Sequence, residues 1–482
     1  MGEETQLSPV QQSGQKTVAI VGGGVAGMSA ACALAESGFR VRLIERRSYL
    51  GGRASSYLHP GVNEVIDNCQ HVLFGCCTNL RGFYKRIGVE NKLHWTSEMT
   101  MIEPGGRRSR LGPTFPPLPA PLHGALGFLT ADAFSLADKL ALGRAIRAMA
   151  QPDAFLSSRE SLGEWLRRHK QTPGAVNRFW RLVIASALNA EIDECSVYYA
   201  AKVVRELFLN SVEAGSMGMS TVPLSKLYAP VADYLESRGG RVLLNTAVEG
   251  ASWDDAAQSW TVNTRSAPEG AGAVKAEFVI AALSFEAMGK LLPALPGAPG
   301  AAKLAVQIAN LVHWPICSVH LWFDREITDL DHAVLLDREI HWLYNQSKLQ
   351  SRPGNYIELV VSATRAFAAL PREAAIDQAL RELAEYFPLV DQAKLNKVAL
   401  VKEVRATFGV PPGVGENRPD DISPWPNFYL AGDWADTGWP STMESAARSG
   451  HLAAEELGLE AEEPLHCFER DLAPRGLMRF IK

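Results

Sequence analysis

The spacing of apolar and polar residues predicts an α/β chain that opens with a strand, a helix and a second strand. Residues 18–21 form a short apolar run that suits a buried parallel strand. An alanine-rich helical stretch follows, and residues 40–44 form the second apolar run. Later runs at 278–282 and 428–431 predict further strands, and residues 240–248 predict a strand that leads into a short turn.

A second group of patterns lies between these runs. Residues 318–323 and 356–362 are strand-like and suit a mixed sheet. Residues 372–387 predict a helix that ends before Pro388, because the residue before a proline is biased away from helical geometry.

The turn after the first strand carries the pattern Gly-x-Gly-x-x-Gly at Gly22, Gly24 and Gly27. Gly22 permits the tight turn, Gly24 lets a pyrophosphate approach the backbone, and Gly27 lets helix and strand pack closely. The helix N-terminus offers free N–H groups to phosphates, and Glu45, after the second strand, is placed to accept ribose hydroxyls. An ordinary glycine turn would leave Glu45 unexplained, so the pattern predicts a dinucleotide site.

Two further motifs resemble the FAD enzymes of the amine oxidase and carotenoid desaturase group. Gly51-Gly52-Arg53 is similar to the second glycine pair of that group, which lies close to the pyrophosphate and flavin. Arg53 can add a charge-assisted contact there. Near the other end of the chain, a strand ends at Gly432-Asp433, and the resemblance implies that this turn meets the ribityl chain and pyrophosphate.

The resemblance also assigns positions beyond these turns. Pro440 is expected to begin a helix, and Thr442 and Met443 match the positions that face the N1–C2=O edge of the flavin. Val248 matches a residue that binds adenine through backbone atoms, and Ser445 stands where the group usually has glycine. The predicted cofactor-binding residues are Gly22, Gly24, Val25, Ala26, Gly27, Glu45, Arg46, Gly52, Arg53, Val248, Gly432, Asp433, Thr442 and Met443.

The predicted architecture is α/β, with a discontinuous Rossmann-type FAD-binding domain and a substrate domain of mixed sheet and helices, as in amine oxidases and phytoene desaturases. The predicted segments are a flexible N-terminal tail at 1–16, the FAD-binding domain at 17–90, 216–290 and 410–460, the substrate domain at 91–215 and 291–409, and a C-terminal tail at 461–482.

Residues 66–77 read IDNCQHVLFGCC and place three cysteines around His71. Zinc sites favour regular pairs such as Cys-x-x-Cys with a second half elsewhere, and no such pair is present. Cys76 and Cys77 are adjacent, which is awkward for chelation. We therefore predict no metal site and no redox pair, and we expect buried structural cysteines.

The same stretch resembles a motif of the hydroxysqualene dehydroxylase family, the squalene-associated FAD-dependent desaturase-like proteins. The resemblance to this family extends over residues 17–455. In that family the position of Cys69 is usually glycine. The matching segments are Asp67-Asn-x-Gln70-His71-Val-Leu-x-Gly75-Cys76, Trp180 with Ala187-Leu-Asn189, Pro223-Leu-Ser-x-Leu227-Tyr228, and Gly432-Asp-Trp-x-Asp-Thr-Gly438.

This resemblance implies that hydroxysqualene loses its hydroxyl as water and gains a hydride from the N5 of reduced FAD, giving squalene for hopanoid biosynthesis. Hydroxide is a poor leaving group, so the reaction needs an acid or a strongly polarising group. The candidate catalytic residues are Asp67, Gln70 and His71, with Asp67 expected to orient or charge His71. The alternative is that Asp67 caps a turn and His71 packs against backbone.

Composition suits a cytoplasmic enzyme. The 482 residues carry a net charge of −5, which argues against a nucleic-acid partner, and seven cysteines fit a reducing compartment. The N-terminus lacks the features of a signal peptide. No separate NAD(P)H motif is present, so we expect an external electron donor.

Residues 113–150 predict helices that touch a membrane. Leu122, Leu126 and Leu129 supply apolar side chains, while Arg144 and Arg147 supply positive charge, as do the arginines at 107, 108 and 110. A hydrophobic isoprenoid substrate would enter through such a patch from the inner face of the cell membrane. The alternative is that these helices only cover the core of the substrate domain.

Three rival functions share this architecture. A carotenoid desaturase would oxidise a polyene, and an amine oxidase would need an aromatic cage, for which Trp434 and Trp439 are candidates. A prenyl-protein escort factor would have no redox role, and its flavin motifs should be degraded, whereas both ends are intact here.

Overall fold

The computed structural model describes residues 15–112, 118–266 and 270–480. The described strands are β1 (Thr17–Val21), β2 (Arg40–Ile44), β3 (Ser56–His59), β4 (Glu64–Asp67), β5 (Val72–Phe74), β6 (Leu93–Thr96), β7 (Met99–Ile102), β8 (Arg108–Leu111), β9 (Met217–Ser220), β10 (Arg241–Leu243), β11 (Thr246–Asp254), β12 (Ser259–Ser266), β13 (Gly270–Ala276), β14 (Phe278–Ala281), β15 (His313–Phe323), β16 (His332–Leu335), β17 (Trp342–Asn345), β18 (Asn355–Val361), β19 (Leu395–Phe408) and β20 (Phe428–Leu430).

The α-helices within the same residues are α1 (Val25–Glu36), α2 (Thr78–Arg86), α3 (Ala125–Thr130), α4 (Leu136–Ala148), α5 (Leu162–Arg168), α6 (Pro173–Ala175), α7 (Leu182–Leu188), α8 (Val197–Val203), α9 (Leu224–Tyr228), α10 (Pro230–Glu236), α11 (Phe285–Leu291), α12 (Ala301–Ala309), α13 (Gln346–Leu349), α14 (Arg365–Ala369), α15 (Arg372–Tyr386) and α16 (Met443–Glu460).

A parallel sheet in the order β10-β2-β1-β14-β20 forms the first layer. Its strands come from all three segments assigned to the FAD-binding domain, which explains why their apolar runs lie so far apart in sequence. Burial on both faces requires continuous apolar strands, and Val18, Ala19 and Ile20 have no exposed surface. The alanine-rich α1 packs against α16 beside this sheet.

A mixed sheet in the order β19-β15-β18-β17-β16-β7-β8 forms the second layer. All of its strand pairs are antiparallel except β16 with β7. One face is apolar, and Val319 and Leu359 pack there with Leu383 of α15. The other face carries polar side chains, and this face lies against the segment that follows β4.

Two boundaries differ from the sequence prediction. The last long helix begins at Met443, not at Pro440, because Thr442 caps it by accepting from the Ser445 N–H at 3.1 Å. Strand β6, assigned to the substrate domain, pairs with β9 of the FAD-binding segments. The short β5-β9-β6 sheet therefore joins the two predicted domains.

The C-terminal segment that was predicted as a tail is packed against the protein as far as residue 480. Asp471 accepts from the Trp439 indole at 3.0 Å, and the Leu477 N–H donates to the Ala120 carbonyl at 2.8 Å. Met478 is buried. The predicted N-terminal tail lies outside the described residues up to position 14, as does the start of the predicted membrane-facing stretch at 113–117.

Candidate active site

The turn between β1 and α1 is built by three glycines with different physical roles. A Cβ added to Gly22 would lie 2.3 Å from the Ala282 carbonyl oxygen, and one added to Gly27 would lie 1.9 Å from the Gly22 oxygen. Both positions are therefore fixed by packing. A Cβ at Gly24 would meet no protein atom within 4 Å. The space beside Gly24 is open to a ligand, as the glycine pattern predicted.

The N-terminus of α1 is free to bind an anion. Its cap, Gly24, has no side chain, and its first turn contains no acidic residue. Val25 and Ala26, the first two residues of this helix, line a cavity together with the glycine turn. Such a terminus stabilises phosphate through its N–H groups and helix dipole. These residues fit the pyrophosphate of a dinucleotide.

Glu45 is held at the end of β2 with both carboxylate oxygens already oriented. One oxygen accepts from the Gly23 N–H at 2.8 Å and the other from the Arg47 N–H at 2.8 Å. Each oxygen keeps a further lone pair for a ribose hydroxyl. Arg46 and Val248 also line the cavity at this end, where the adenosine half of a dinucleotide would lie.

The second glycine pair lies directly against the first motif. The Gly51 N–H donates to the Gly23 carbonyl at 2.8 Å, and Gly52 adopts a positive φ of 60° beside Gly24. Arg47, which the sequence prediction missed, donates to the Gly52 carbonyl at 2.7 Å. A short guanidinium–backbone contact therefore braces this turn.

Arg53 and Asp433 form an ion pair that joins the two ends of the chain. The other oxygen of Asp433 accepts from the Ser441 hydroxyl at 2.5 Å. Arg53 was expected to contact a pyrophosphate. Its guanidinium instead pairs with Asp433 and donates to the Ala406 carbonyl at 3.1 Å, although the residue still lines the cavity.

Ser445 does not obstruct the approach to the cavity. Its hydroxyl donates to the Asp433 carbonyl at 3.0 Å and lies 2.7 Å from the Thr437 hydroxyl. The side chain is fully buried and does not line the cavity. The replacement of glycine at this position is therefore accommodated on the side of α16 away from the cofactor site.

A cavity of about 600 Å³ runs between the two sheets. It brings together nearly all of the residues predicted from sequence. Those that line it are Gly22, Gly24, Val25, Ala26, Glu45, Arg46, Gly52, Arg53, Gln70, His71, Val248, Gly432, Asp433, Thr442 and Met443. Gly27 lies behind this wall, where it serves helix packing.

Asp67 lies outside the cavity and does not contact His71, so the expectation that it orients or charges His71 is wrong. Its carboxylate accepts from the Ser56 hydroxyl at 2.5 Å and from the Leu224 N–H at 3.1 Å. Burial raises the pKa of Asp67, although the Ser56 contact opposes this effect. Asp67 therefore connects β4 to the β3 strand and to α9.

His71 is oriented by backbone. Its Nδ1 lies 2.6 Å from the Cys69 carbonyl oxygen, so Nδ1 carries the proton and Nε2 is an acceptor in the neutral ring. Burial lowers the pKa of His71 to about 4, with a smaller contribution from the charge of Arg53. The histidine is therefore neutral at physiological pH, whereas one expectation from the sequence was that Asp67 would charge it.

The cysteines do not form a cluster suited to a metal. Across residues 15–112, 118–266 and 270–480, no group of three or more metal-ligating side chains is placed to hold an ion. Every cysteine in the chain is free and buried. Cys69 lines the cavity, and burial raises the pKa of its thiol well above the usual value, which keeps it protonated.

Three polar residues beside or behind the cavity gave a weak signal in the sequence, or none. Asn189 ends α7 in the left-handed conformation, and its amide donates to the Thr407 hydroxyl at 3.0 Å beside the cavity. Glu358 lies in the middle of an apolar strand. The sequence around it does not indicate which residues its carboxyl group contacts. Arg418 is buried and donates to the carbonyls of the loop that carries Asp433.

The aromatic residues proposed for a cage do not face the cavity. Trp434 is buried and donates to the Leu283 carbonyl at 2.7 Å, whereas Trp439 donates to Asp471. No phenylalanine, tyrosine or tryptophan lines the cavity within the part of the chain that the structure describes. The site therefore lacks the feature that an amine oxidase was expected to need.

A family model for flavin containing amine oxidoreductases matches residues 25–458. The chain belongs to this family. Flavin containing amine oxidoreductases use FAD, and the open space at Gly24 and the free terminus of α1 fit that cofactor. The protein is thus an FAD-dependent oxidoreductase, as the two flavin motifs predicted.

Similar proteins within this superfamily include carotenoid desaturases. The 15-cis-phytoene desaturase of Synechococcus elongatus is 28% identical over 466 residues, which cover 92% of this chain and 96% of that protein. The zeta-carotene desaturase of Arabidopsis thaliana is 27% identical over 485 residues, covering 92% and 86% respectively.

Solved structures confirm the fold of the flavin containing amine oxidoreductases. Wild-type putrescine oxidase bound to putrescine superposes with a TM-score of 0.69 at 17% identity, covering 92% of this chain and 99% of that one. Cyclohexylamine oxidase from Brevibacterium oxydans has a TM-score of 0.64 at 20% identity, covering 93% and 100%. Identities this low establish the shared fold and not the substrate.

Proposed function

We propose that this flavoenzyme acts on a long isoprenoid and removes the hydroxyl group of hydroxysqualene to give squalene. The observation that carries the proposal is the placement of Gln70 and His71 in the cavity wall, beside the apolar Cys69, Val72 and Leu188. A substrate of pure hydrocarbon needs no polar contact, whereas an allylic alcohol needs its oxygen bound and polarised. The motif that resembles hydroxysqualene dehydroxylases contains these same two side chains.

The neutral state of His71 assigns distinct tasks to the two residues. With its Nδ1 proton donated to Cys69, His71 offers Nε2 as an acceptor for the substrate O–H. Gln70 Nε2 makes only a long 3.5 Å contact with the His71 carbonyl, so it has a hydrogen available to polarise the same oxygen. If bound in its fully reduced form, FAD would supply the hydride that replaces the hydroxyl and would release one proton, and one proton delivered to the oxygen would let the hydroxyl leave as water.

Carotenoid desaturation is the second candidate, and the names of the similar desaturases favour it. Both reactions use an extended isoprenoid and FAD, but the flow of electrons is opposite. Dehydroxylation consumes a reduced flavin, which an external donor must restore. Desaturation consumes an oxidised flavin and passes electrons onward.

An anaerobic experiment separates the two reactions. Photoreduced, FAD-loaded protein is mixed with hydroxysqualene, and flavin absorbance and extracted lipid are followed together. We expect the flavin to reoxidise as squalene forms in equal amount. In a parallel reaction, oxidised protein is mixed with phytoene and an artificial electron acceptor. A desaturated product in that reaction, with no squalene in the first, would overturn the proposed function in favour of the second candidate.

We also propose that the protein binds the membrane that holds its substrate. Leu122, Leu126 and Leu129 are all exposed at helical spacing, with Leu129 at 56% exposure. The C-terminal residues Leu477 and Phe480 are exposed too, and the contact between Leu477 and the Ala120 carbonyl places them beside this helix. We call these five residues the apolar patch.

The charge near the apolar patch is smaller than the sequence predicted. Arg107 pairs with Glu103 and Arg108 pairs with Asp329, so two of the five arginines are already neutralised. The other three, Arg110 on β8 and Arg144 and Arg147 on α4, remain exposed. Within the described residues, no helix is both long and apolar enough to cross a bilayer. Membrane contact would therefore be interfacial and would depend mainly on apolar burial.

A further inference from the structure

The polar face of the second sheet supports the wall of the FAD cavity. Residues directly opposite each other on neighbouring strands share a face, and His320, Glu358 and Tyr344 form such a row across β15, β18 and β17. Ser318 on the same face donates to the Asn68 carbonyl at 3.0 Å. This row thus lies beneath the segment that contains Gln70.

The contact between the second sheet and the segment that contains Gln70 has two parts. The first part is a chain of hydrogen bonds between uncharged groups. Because Ser318 donates to Asn68, its oxygen accepts from His320 Nε2 at 3.0 Å. His320 Nδ1 then accepts from the Tyr356 hydroxyl at 2.7 Å. Burial lowers the pKa of His320 to about 3, so it stays neutral and its bonds do not change across the physiological range.

The second part of this contact contains the carboxyl group of Glu358, which is not paired with a positively charged side chain. Glu358 has no exposed surface, and it forms no ion pair with any described lysine, arginine or histidine. One carboxylate oxygen accepts from the Gln70 N–H at 2.6 Å, and the other accepts from the Gln346 amide at 2.7 Å. The same Gln346 nitrogen donates to Gln70 Oε1 at 2.6 Å. Gln346 Oε1 is buried and has no partner.

The groups around Glu358 favour its neutral form. Burial raises the pKa of Glu358 to about 8, and the nearby Asp67 adds to this effect, while the bonds from Gln346 and Gln70 oppose it. The other titratable neighbours are Cys69, Tyr344 and Tyr356, whose own pKa values lie above the usual range, and the neutral His320. The charge of Arg352 acts on Asp67 and Tyr356, and it opposes the rise that burial causes in their pKa values. The carboxyl therefore changes charge near physiological pH.

A change of charge at Glu358 requires the two amides to turn. In the arrangement described, both carboxylate oxygens accept, which suits the ionised form. A neutral carboxyl must donate, and Gln346 can accept only if its amide rotates and presents the unpaired Oε1. Gln70 must then rotate as well and donate to that oxygen. Its own Oε1 is released toward the cavity, where Nε2 lay before.

We propose that Glu358 is a positioning residue of the flavin site whose protonation, passed on by Gln346, decides which atom of the Gln70 amide faces the cavity. An ionised Glu358 leaves a hydrogen-bond donor at the cavity wall, and a neutral one leaves an acceptor. The proposal rests on the FAD site, and it makes the donor role given to Gln70 in the proposed dehydroxylation depend on the ionised form of Glu358.

Glu358→Gln tests this directly, because a carboxamide donates to Gln346 at every pH and so imitates the neutral form. The flavin absorbance of FAD-loaded protein is recorded from pH 6 to 10, together with its thermal midpoint. We expect the wild-type spectrum to change in a one-proton transition near pH 8. Glu358→Gln should lose that transition and retain the low-pH spectrum throughout.

Two further variants keep the test independent of folding. Glu382→Gln changes another buried glutamate, which accepts from the Ile340 N–H away from the cavity, and it should leave the spectral transition unchanged. Gln346→Met should lose the spectral transition while the thermal midpoint still reports the titration of Glu358. If the spectra of Glu358→Gln and wild type coincide at every pH, or if Gln346→Met keeps the transition, Glu358 does not position Gln70.

Discussion

At the scale of single residues, the two glycines at the start of α1 are needed for different reasons. Gly24 leaves space for a ligand, whereas Gly27 allows close packing. Gly24 has a φ of −77°, which any residue can adopt, and its missing Cβ faces open space. We expect Gly24→Ala to fold as well as wild type and to lose FAD, because the methyl group occupies the space of the pyrophosphate. Absorbance at 450 nm after purification reports the flavin, and thermal unfolding reports the fold.

Gly27→Ala is the matched control for that prediction. Its Cβ would lie 1.9 Å from a carbonyl oxygen, so helix and strand must separate. We expect a loss of stability of about 2 kcal/mol or more, in the range of overpacked cores. Equal thermal midpoints for the two variants would contradict this division of roles.

His71 gives a second prediction at this scale, which concerns pH. Since the folded pKa is about 4, the ring stays neutral as pH rises from 5 to 7. Turnover in that window should therefore show no inflection from His71. His71→Ala should retain FAD and lose at least about tenfold in turnover, equivalent to about 1.4 kcal/mol. A rate limb near pH 6.5 that the variant abolishes would show that His71 acts as an imidazolium.

At the scale of elements, Arg418 holds the loop that leads into α16. Its guanidinium donates to the Trp439 carbonyl at 2.7 Å, to the Asp433 carbonyl at 3.1 Å and to the Tyr199 hydroxyl at 2.7 Å. The loop carries Asp433 to the cavity. A planar group with five donors suits several carbonyls, which a lysine could not reach together.

Arg418→Met should therefore weaken both the loop and the cofactor site. Each buried carbonyl left unpaired costs about 1–3 kcal/mol, so we expect a loss of at least about 3 kcal/mol together with a raised Kd for FAD. Arg265→Met removes an exposed ion pair with Glu249 and should change stability by less than about 0.5 kcal/mol. Similar thermal midpoints for the two variants would show that the loop does not depend on Arg418.

The elements that the sequence predicted well are those fixed by local patterns. The strand–glycine–helix unit at 17–36 and the strand at 428–430 were found because apolar runs and glycine spacing are determined within a few residues. Asp67, Gln70 and His71 share one short motif. Gln70 and His71 line the cavity, whereas the side chain of Asp67 points away from it and forms hydrogen bonds elsewhere. Its partners Ser56 and Leu224 come from distant segments, and no local pattern reports such contacts.

At the scale of the whole molecule, contacts between distant segments explain why the sequence did not predict the role of Glu358 or the packing of the C-terminal segment. Glu358 lies in an apolar strand and acquires its role only when the second sheet packs against the residues after β4. Residues 461–480 have no motif, yet they bind α16 and the segment near Ala120. The apolar patch is a product of this tertiary arrangement, because it combines residues from positions 122 and 480 of the chain.

That arrangement leads to a prediction for membrane binding. A variant with Leu122, Leu126 and Leu129 all changed to serine removes the helical part of the apolar patch without touching the FAD cavity. Each leucine contributes up to about 1.5–3 kcal/mol when fully buried, so the triple change should abolish interfacial binding. Flotation with vesicles of zwitterionic lipid, with and without anionic lipid, measures the bound fraction.

The matched control changes exposed leucines elsewhere, Leu389→Ser with Leu459→Ser, and should float as the wild type does. If the triple variant floats equally well, the apolar patch is not the binding surface. If the wild-type protein remains in the dense fraction with both lipid mixtures, it does not bind membranes, and the substrate must reach the cavity by another route. Raised salt separates apolar from charge-driven binding: a contact made mainly by the apolar patch should lose little of its bound fraction, whereas a contact made by exposed arginines such as Arg479 would be screened.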